Sequence, residues 1–142
     1  MTIATILGAK GREVVSISAQ TPITDVVRLL ADRRIGAVPV LDAGKVVGIL
    51  SERDVLYHLA SDGAAILQWT ASQVMTAPAI TVGSDLGVIV ALSLMTRRRV
   101  RHLPVVDAGE LIGIVSIGDL VKARIDRIET EAQAMRDYIQ QA

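Results

Sequence analysis

Two short stretches combine a hydroxyl and a carboxylate at one fixed spacing: Ser51-Glu52-Arg53-Asp54 and Ser116-Ile117-Gly118-Asp119. Each follows an apolar run and opens a helical pattern, so both sit where a helix N-terminus leaves N–H groups free. Two chemistries fit. A serine with an acid three residues on can form a reciprocal cap, each side chain accepting from the other's backbone. Alternatively the hydroxyl and the N-terminus attract an anion, while the carboxylate accepts hydrogen bonds from a ribose diol. A capping box prefers the longer Glu or Gln at its third position, and both stretches have Asp. Gly48 and Gly113 lie three residues before each serine, where a small residue would let a ligand approach the backbone.

The recurrence is part of an internal duplication. Gly48 to Asp54 returns sixty-five positions later as Gly113 to Asp119, and Pro39-Val40-Leu41-Asp42-Ala43-Gly44 returns as Pro104-Val105-Val106-Asp107-Ala108-Gly109. No gap is needed between residues 14–55 and 79–120. A repeat of this kind sets the architecture and places any cleft between the copies. Cations near the motifs are unequal. Arg101-His102 precede the second proline strand where the first copy has Gly36-Ala37, and Arg53 of the first motif has Gly118 as its twin. A guanidinium suits phosphate geometry, so Arg101, with His102 beside it, is expected to serve the Asp119 cleft, and Arg53 to be a substitute in the other. Arg97-Arg98-Arg99 reads as a solvated helix end.

The elements that position these residues read β-α-β-β-α in each copy. Val14 to Ile17 and Ile80 to Val82 are short β-branched runs. Thr21-Pro22 and Ser84 are the expected helix starts, followed by apolar faces at Ile23, Val26, Val27, Leu30 and at Val88, Ala91, Leu92, Met95. Asp42-Ala43-Gly44 and Asp107-Ala108-Gly109 are hairpin turns. Pro39 cannot donate to a ladder, so its strand is either an edge strand or unpaired at that point. Asp62-Gly63 ends one helix, and Ile66 to Met75 predicts a connecting helix anchored by Trp69. Val121, Ile125, Ile128, Ala132, Met135 and Ile139 alternate spacings of four and three, a seam for a domain face or a dimer contact.

Composition narrows the function. The chain has 142 residues, 51% of them hydrophobic, and its fifteen basic and fifteen acidic residues balance. Neutrality and the scarcity of aromatic residues argue against nucleic acid, which needs positive charge or exposed rings. The absence of cysteine excludes disulfides, thiolate catalysis and the common zinc sites. No activated nucleophile, metal set or acid pair stands out; His58 has no partner at ligand spacing and reads as helix surface. A soluble, cytoplasmic, non-catalytic protein is expected, with no signal peptide and no membrane span.

The repeated small-residue-and-Pro strand, Asp-x-Gly hairpin and Gly-x-x-Ser-x-x-Asp, with Val100 to Asp107, resemble a pair of cystathionine-β-synthase (CBS) domains, a Bateman module. The resemblance implies an α/β (α+β) fold of tandem β-α-β-β-α repeats with pseudo-twofold symmetry, two three-stranded sheets and two clefts. Residues 1–68 then form the first repeat with an N-terminal segment, 69–122 the second, and 123–142 a C-terminal amphipathic helix. It further implies a regulatory module, stand-alone and homodimeric, that binds AMP, ADP, ATP, S-adenosylmethionine or NAD(H) as regulatory ligand, requires no cofactor and signals to an effector protein. Asp54 and Asp119 would hold ribose, Ser51 and Ser116 sugar or phosphate, and backbone at Ser16, Ile17, Thr81 and Val82 the adenine edge. The competing expectation is a structural dimer with degenerate, empty clefts.

Overall fold

Both hairpins turn on an alanine and a glycine. Strands β2 (Ala37–Asp42) and β3 (Lys45–Ser51) meet at Ala43-Gly44, and β4 (His102–Asp107) and β5 (Glu110–Ser116) at Ala108-Gly109. The central φ values are 51° and 77° in the first turn and 49° and 77° in the second. Positive φ at both positions gives the turn whose twist matches a right-handed strand pair. Both ladders slip at the same place, between Val40 and Leu41 and between Val105 and Val106. The duplication thus extends to backbone irregularities. Lys45 Nζ donates to the Gly109 carbonyl at 3.2 Å, so the hairpin tips meet.

The sheets themselves differ. In this computed structural model, which describes residues 1–11 and 13–141, β1 (Ile17–Ser18) pairs in parallel with β2 to give the order β1-β2-β3. The second sheet contains only β4 and β5, with a single parallel bridge from Val82 to Val105 in place of a third strand. The expectation of two three-stranded sheets is therefore corrected, and the cause lies one residue further on. Ala19 N–H donates to the Leu41 carbonyl, whereas its twin Ser84 gives its N–H to the Asp107 side chain at 3.0 Å. Ser84 Oγ donates to the same carboxyl, and together these bonds hold Asp107 below the usual carboxylate range. A side chain has replaced a rung of the ladder. Because β2 is central, Pro39 is not on an edge; it is unpaired locally, opposite Ile49, whose N–H and carbonyl both turn away to Thr76.

Two expected helix starts also shift. Helix α2 spans Ile23–Arg33 with Pro22 at its cap, and Thr21 Oγ1 instead accepts from the Ser18 N–H. Helix α5 spans Val88–Arg98 with Gly87 at its cap, because Ser84 is held by Asp107. Helix α3 (Glu52–Asp62) runs into a 3-10 turn at Gly63–Gln68, then breaks at Trp69 before the short α4 (Ala71–Val74). The break is used: the Trp69 carbonyl accepts from the Ile23 N–H that starts α2. Helix α6 is the longest, Ile117–Gln141.

Two hydrophobic cores result, and each takes a piece from outside its ungapped repeat. Ala71 and Val74 of α4 join the core of Ile23, Val38 and Leu50. Ile3 and Ile6 of the N-terminal helix α1 (Ile3–Lys10) join Leu103, Val105 and Leu120. The division at 68/69 is thus crossed by the packing. These inserts also occupy the space that the motif glycines leave. A Cβ on Gly48 would lie 2.6 Å from Met75 Sδ and 2.9 Å from the Thr76 carbonyl oxygen, and one on Gly113 2.6 Å from Leu7 Cδ2. The glycines admit neighbouring chain rather than ligand, which corrects that expectation. Urea denaturation of Gly48→Ala should show a loss of about 1–3 kcal/mol, since a backbone carbonyl must move. Gly113→Ala should lose less, because a leucine side chain can rotate aside; equal losses would contradict this packing.

Candidate functional site

Both Ser/Asp motifs are complete reciprocal caps. The Ser51 N–H donates to Asp54 Oδ2 at 2.9 Å and the Asp54 N–H to Ser51 Oγ at 3.3 Å. At the head of α6 the same bonds measure 2.9 Å from Ser116 N to Asp119 and 3.1 Å from Asp119 N to Ser116 Oγ. The shorter acid therefore reaches, and helix capping engages Oδ2 of each carboxylate. Each cap contributes on the order of 1 kcal/mol.

Each carboxylate is also bound by a strap that the sequence reading missed, on the free oxygen of Asp54 and on the capping oxygen itself of Asp119. Thr76 Oγ1 donates to Asp54 Oδ1 at 2.9 Å, while its own N–H and carbonyl pair with Ile49. Across the pseudo-twofold, Lys10 Nζ donates to Asp119 Oδ2 at 2.8 Å and to the carbonyl of Ile114, the twin of Ile49, at 2.9 Å. A hydroxyl serves one aspartate and an ammonium the other. Burial pushes Asp119 up, but the hydrogen bond and charge of Lys10 and the Ser116 bonds outweigh it and hold the carboxyl below its usual range. Both straps lie just outside the ungapped repeat, so the duplication gave no signal of their equivalence.

The structure gathers the expected cations around Asp54. A cleft of about 350 Å³ is lined by Ser51, Arg53 and Asp54 from the first repeat and by Arg101 and His102 from the second. Arg98 and Arg99 from the end of α5 line it too. The expected grouping of Arg101 and His102 with Asp119 is corrected: the residues that lead into β4 line a cleft with the cap that heads α3. Gly36, the twin of Arg101, makes room for His102; a Cβ there would come within 3.3 Å of its ring. Arg98 and Arg99, read as solvated, face the cleft, and neither Arg97 nor Arg101 shares a wall with Asp119. Burial lowers the His102 pKa, and the Lys10 and Arg101 charges add to this against Glu52 and Asp119. His102 is thus a neutral imidazole at pH 7, next to a row of guanidiniums.

Asp119 lines a different space, about 620 Å³ between α1 and α6, with Lys10, Lys122 and Arg127. Ser116 does not line it. Ser16 and Ile17 lie instead against the first hairpin turn, in a depression with Asp42 and Gly44. Val82 is buried on its bridge to Val105 and Thr81 is exposed beside it. His58 is more than surface: its Nδ1 donates to the Asp54 carbonyl at 2.8 Å and its ring meets Trp69 edge-on at 6.3 Å. Among the described residues, no three His, Asp or Glu side chains are grouped to hold a metal ion, and no helix is long and apolar enough to cross a membrane.

Comparison with known proteins agrees with this fold. The profile of the CBS domain matches twice, at residues 11–61 and 71–126. The CBS domain-containing protein CBSX3, mitochondrial, of Arabidopsis thaliana is 31% identical over 148 residues, covering 98% of this chain and 72% of its own length. The crystal structure of the CBS-domain protein ATU1752 from Agrobacterium tumefaciens superposes with a TM-score of 0.83 at 40% identity, covering 87% of this chain and 99% of that one. The CBS domain pair of MJ0100, solved in complex with 5′-methylthioadenosine and S-adenosyl-L-methionine, gives 0.77 at 25% identity, covering 87% and 98%. Two profile matches in tandem, on two caps, two hairpins and two cores related by one offset, make this chain a member of the CBS domain family, built as a CBS pair.

Proposed function

We propose that this chain is a regulatory sensor that binds an adenosine-containing, phosphorylated ligand in the Asp54 cleft and passes its occupancy to a partner protein. The observation that carries the reading is the convergence of Arg53, Arg98, Arg99 and Arg101 on one cleft beside a ribose-competent carboxylate. The guanidiniums come from both repeats, so a bound anion would tie the halves together. Each charge-assisted bond to phosphate is worth about 1.5–3 kcal/mol. The adenosine part of the proposal is supported by the ligands of MJ0100. AMP, ADP, ATP and NAD(H) all carry the required phosphate, and S-adenosylmethionine does not.

This ranks the clefts opposite to the expectation from sequence. Asp119 is already neutralised by Lys10, so its cleft is proposed as the weaker site for phosphate. Backbone near Ser16 and Ile17 or near Thr81 and Val82 remains the proposed adenine contact, reached by a ligand extending from either aspartate. The module is proposed to be non-catalytic, to need no cofactor and to act as a homodimer, for which exposed Leu56, Ile89 and Val90 supply apolar surface. The lack of cysteine is the ground for a cytoplasmic setting. A second reading, a structural dimer with empty clefts, is favoured by one observation: the caps satisfy Ser51, Asp54, Ser116 and Asp119 without any ligand.

A thermal-shift panel of AMP, ADP, ATP, NADH and S-adenosylmethionine separates the two. A true ligand at a hundred times its dissociation constant adds about 2.7 kcal/mol of stability. No shift with any of the five would leave the empty-cleft dimer. For the best ligand, calorimetry on Arg101→Ala should show affinity falling about ten- to a hundredfold, with Lys10→Ala leaving it within a factor of about two. A large loss in Lys10→Ala with none in Arg101→Ala would return the site to Asp119.

His102 supplies a pH test. Its pKa in the folded chain is lowered, so the unfolded chain binds more protons and stability falls as pH drops below about 6.5. His102→Asn should flatten that slope. A phosphate placed beside the ring raises its pKa again, so binding takes up protons. Calorimetry in buffers of different ionisation heat should show greater proton uptake in wild type than in His102→Asn, a difference that cancels the ligand's own titration. Identical uptake would place phosphate away from His102.

A further inference from the structure

Helix α6 uses only one side to hold its own domain. Leu120 is buried in the second core and Ala123 packs against it, while Arg127 and Thr130 face α1 across a shallow trough. The apolar seam lies on another face and is uncovered along its whole length: Val121 is 41% exposed, Ile128 48%, Met135 60% and Ile139 63%. With Val121, Ile128 and Met135 at d and Ile125, Ala132 and Ile139 at a, the flanking charges become legible. Lys122, Glu129 and Arg136 fall at e, and Arg124 and Glu131 at g.

We infer that a second copy of this chain covers the seam, the two α6 helices forming a parallel, in-register coiled coil. In that arrangement each g residue meets the e residue five positions later on its partner. Arg124 then faces the partner's Glu129, and Glu131 the partner's Arg136, each contact occurring twice by symmetry. Both g–e′ pairs within the seam join opposite charges, and the one before it sets Ile117 beside the aliphatic stem of Lys122. An antiparallel pairing that keeps the whole seam covered places Lys122 against Arg136 and sets Glu129 and Glu131 each against its own copy. Sliding to a register that avoids these clashes leaves Met135 and Ile139 uncovered. Glu131 already bonds Arg127 at 3.1 Å and Arg136 bonds Gln133, but both contacts are exposed and free to rearrange. The inference rests on the homodimer reading above and gives it an orientation: both copies present their Ser116–Asp119 caps at the same end.

Light scattering and thiol cross-linking test it on the full chain. The chain has no cysteine, so single Ile128→Cys and Met135→Cys variants each carry one thiol at an exposed seam position. Both should form a disulfide-linked dimer faster than the off-seam control Ala134→Cys by about tenfold or more, as held neighbours do. Glu129→Arg should weaken the dimer and Arg124→Glu in the same chain should restore it. Cross-linking at only one of the two seam positions, at neither, or no faster than at 134 would overturn the parallel coil. If the wild type still scattered as a dimer, the homodimer reading would survive that result. A monomer would end both, and a trimer would end the two-stranded arrangement. Ligand titration reports on the Asp54 cleft independently of each outcome.

Discussion

Neither sheet can bury its inner face with the residues of its own ungapped repeat. The first needs Ala71, Val74 and Met75 against it, and the second needs Ile3, Ile6 and Leu7. These segments come so close that glycine is the only residue the strands can carry at Gly48 and Gly113 without displacing them. The same approach delivers Thr76 and Lys10 to the two cap aspartates. Core closure and site chemistry are therefore one constraint: a segment placed to complete a core ends beside the carboxylate that heads the next helix.

From that constraint the inequality of the clefts follows. The straps hold corresponding aspartates with different chemistry, a neutral hydroxyl against an ammonium. Around Asp54 the positive charge comes from four arginines that line its cleft, none of them in an ion pair among the described residues. Around Asp119 part of it is spent internally on the carboxylate. His102 lies close enough to feel Glu52 on one side and Lys10 and Asp119 on the other, so its protonation senses both clefts.

The duplication was legible because it is ungapped and carries turn, cap and proline signals in register; hairpins, cores and both Ser/Asp caps follow from it. What it could not convey was which copy's residues share a cleft. The backbone of Arg101 is beside its own repeat's cap, since the Ile117 N–H bonds its carbonyl, yet its side chain lines the cleft of the other repeat's cap. A residue at a strand end can face the other repeat's cleft while its backbone pairs within its own, and only tertiary packing decides. The missing third strand of the second sheet was equally hidden. It turns on whether residue 19 or its twin 84 has a competing side-chain acceptor, and Asp42 and Asp107 look alike in the sequence. The Arg98 and Arg99 side chains were misread for a related reason: a helix C-terminus predicts cations whatever they face.

The way α1 is tied down sets an order of events for the growing chain. Residues 15 to 75 contain the whole of the first core, so that half can consolidate as soon as they have left the ribosome. The second cannot. Its N-terminal helix bonds Leu86 through Ile3 and Ser84 through Ala4, contacts that close a loop around the finished first half. Loop closure over such a span costs only slightly more than over a shorter one once the intervening chain is compact, but it must wait for synthesis to reach β5 and α6. Until then Ile3, Ile6 and Leu7 have no core to join. The last contact made in folding is thus drawn from a segment that precedes both repeats.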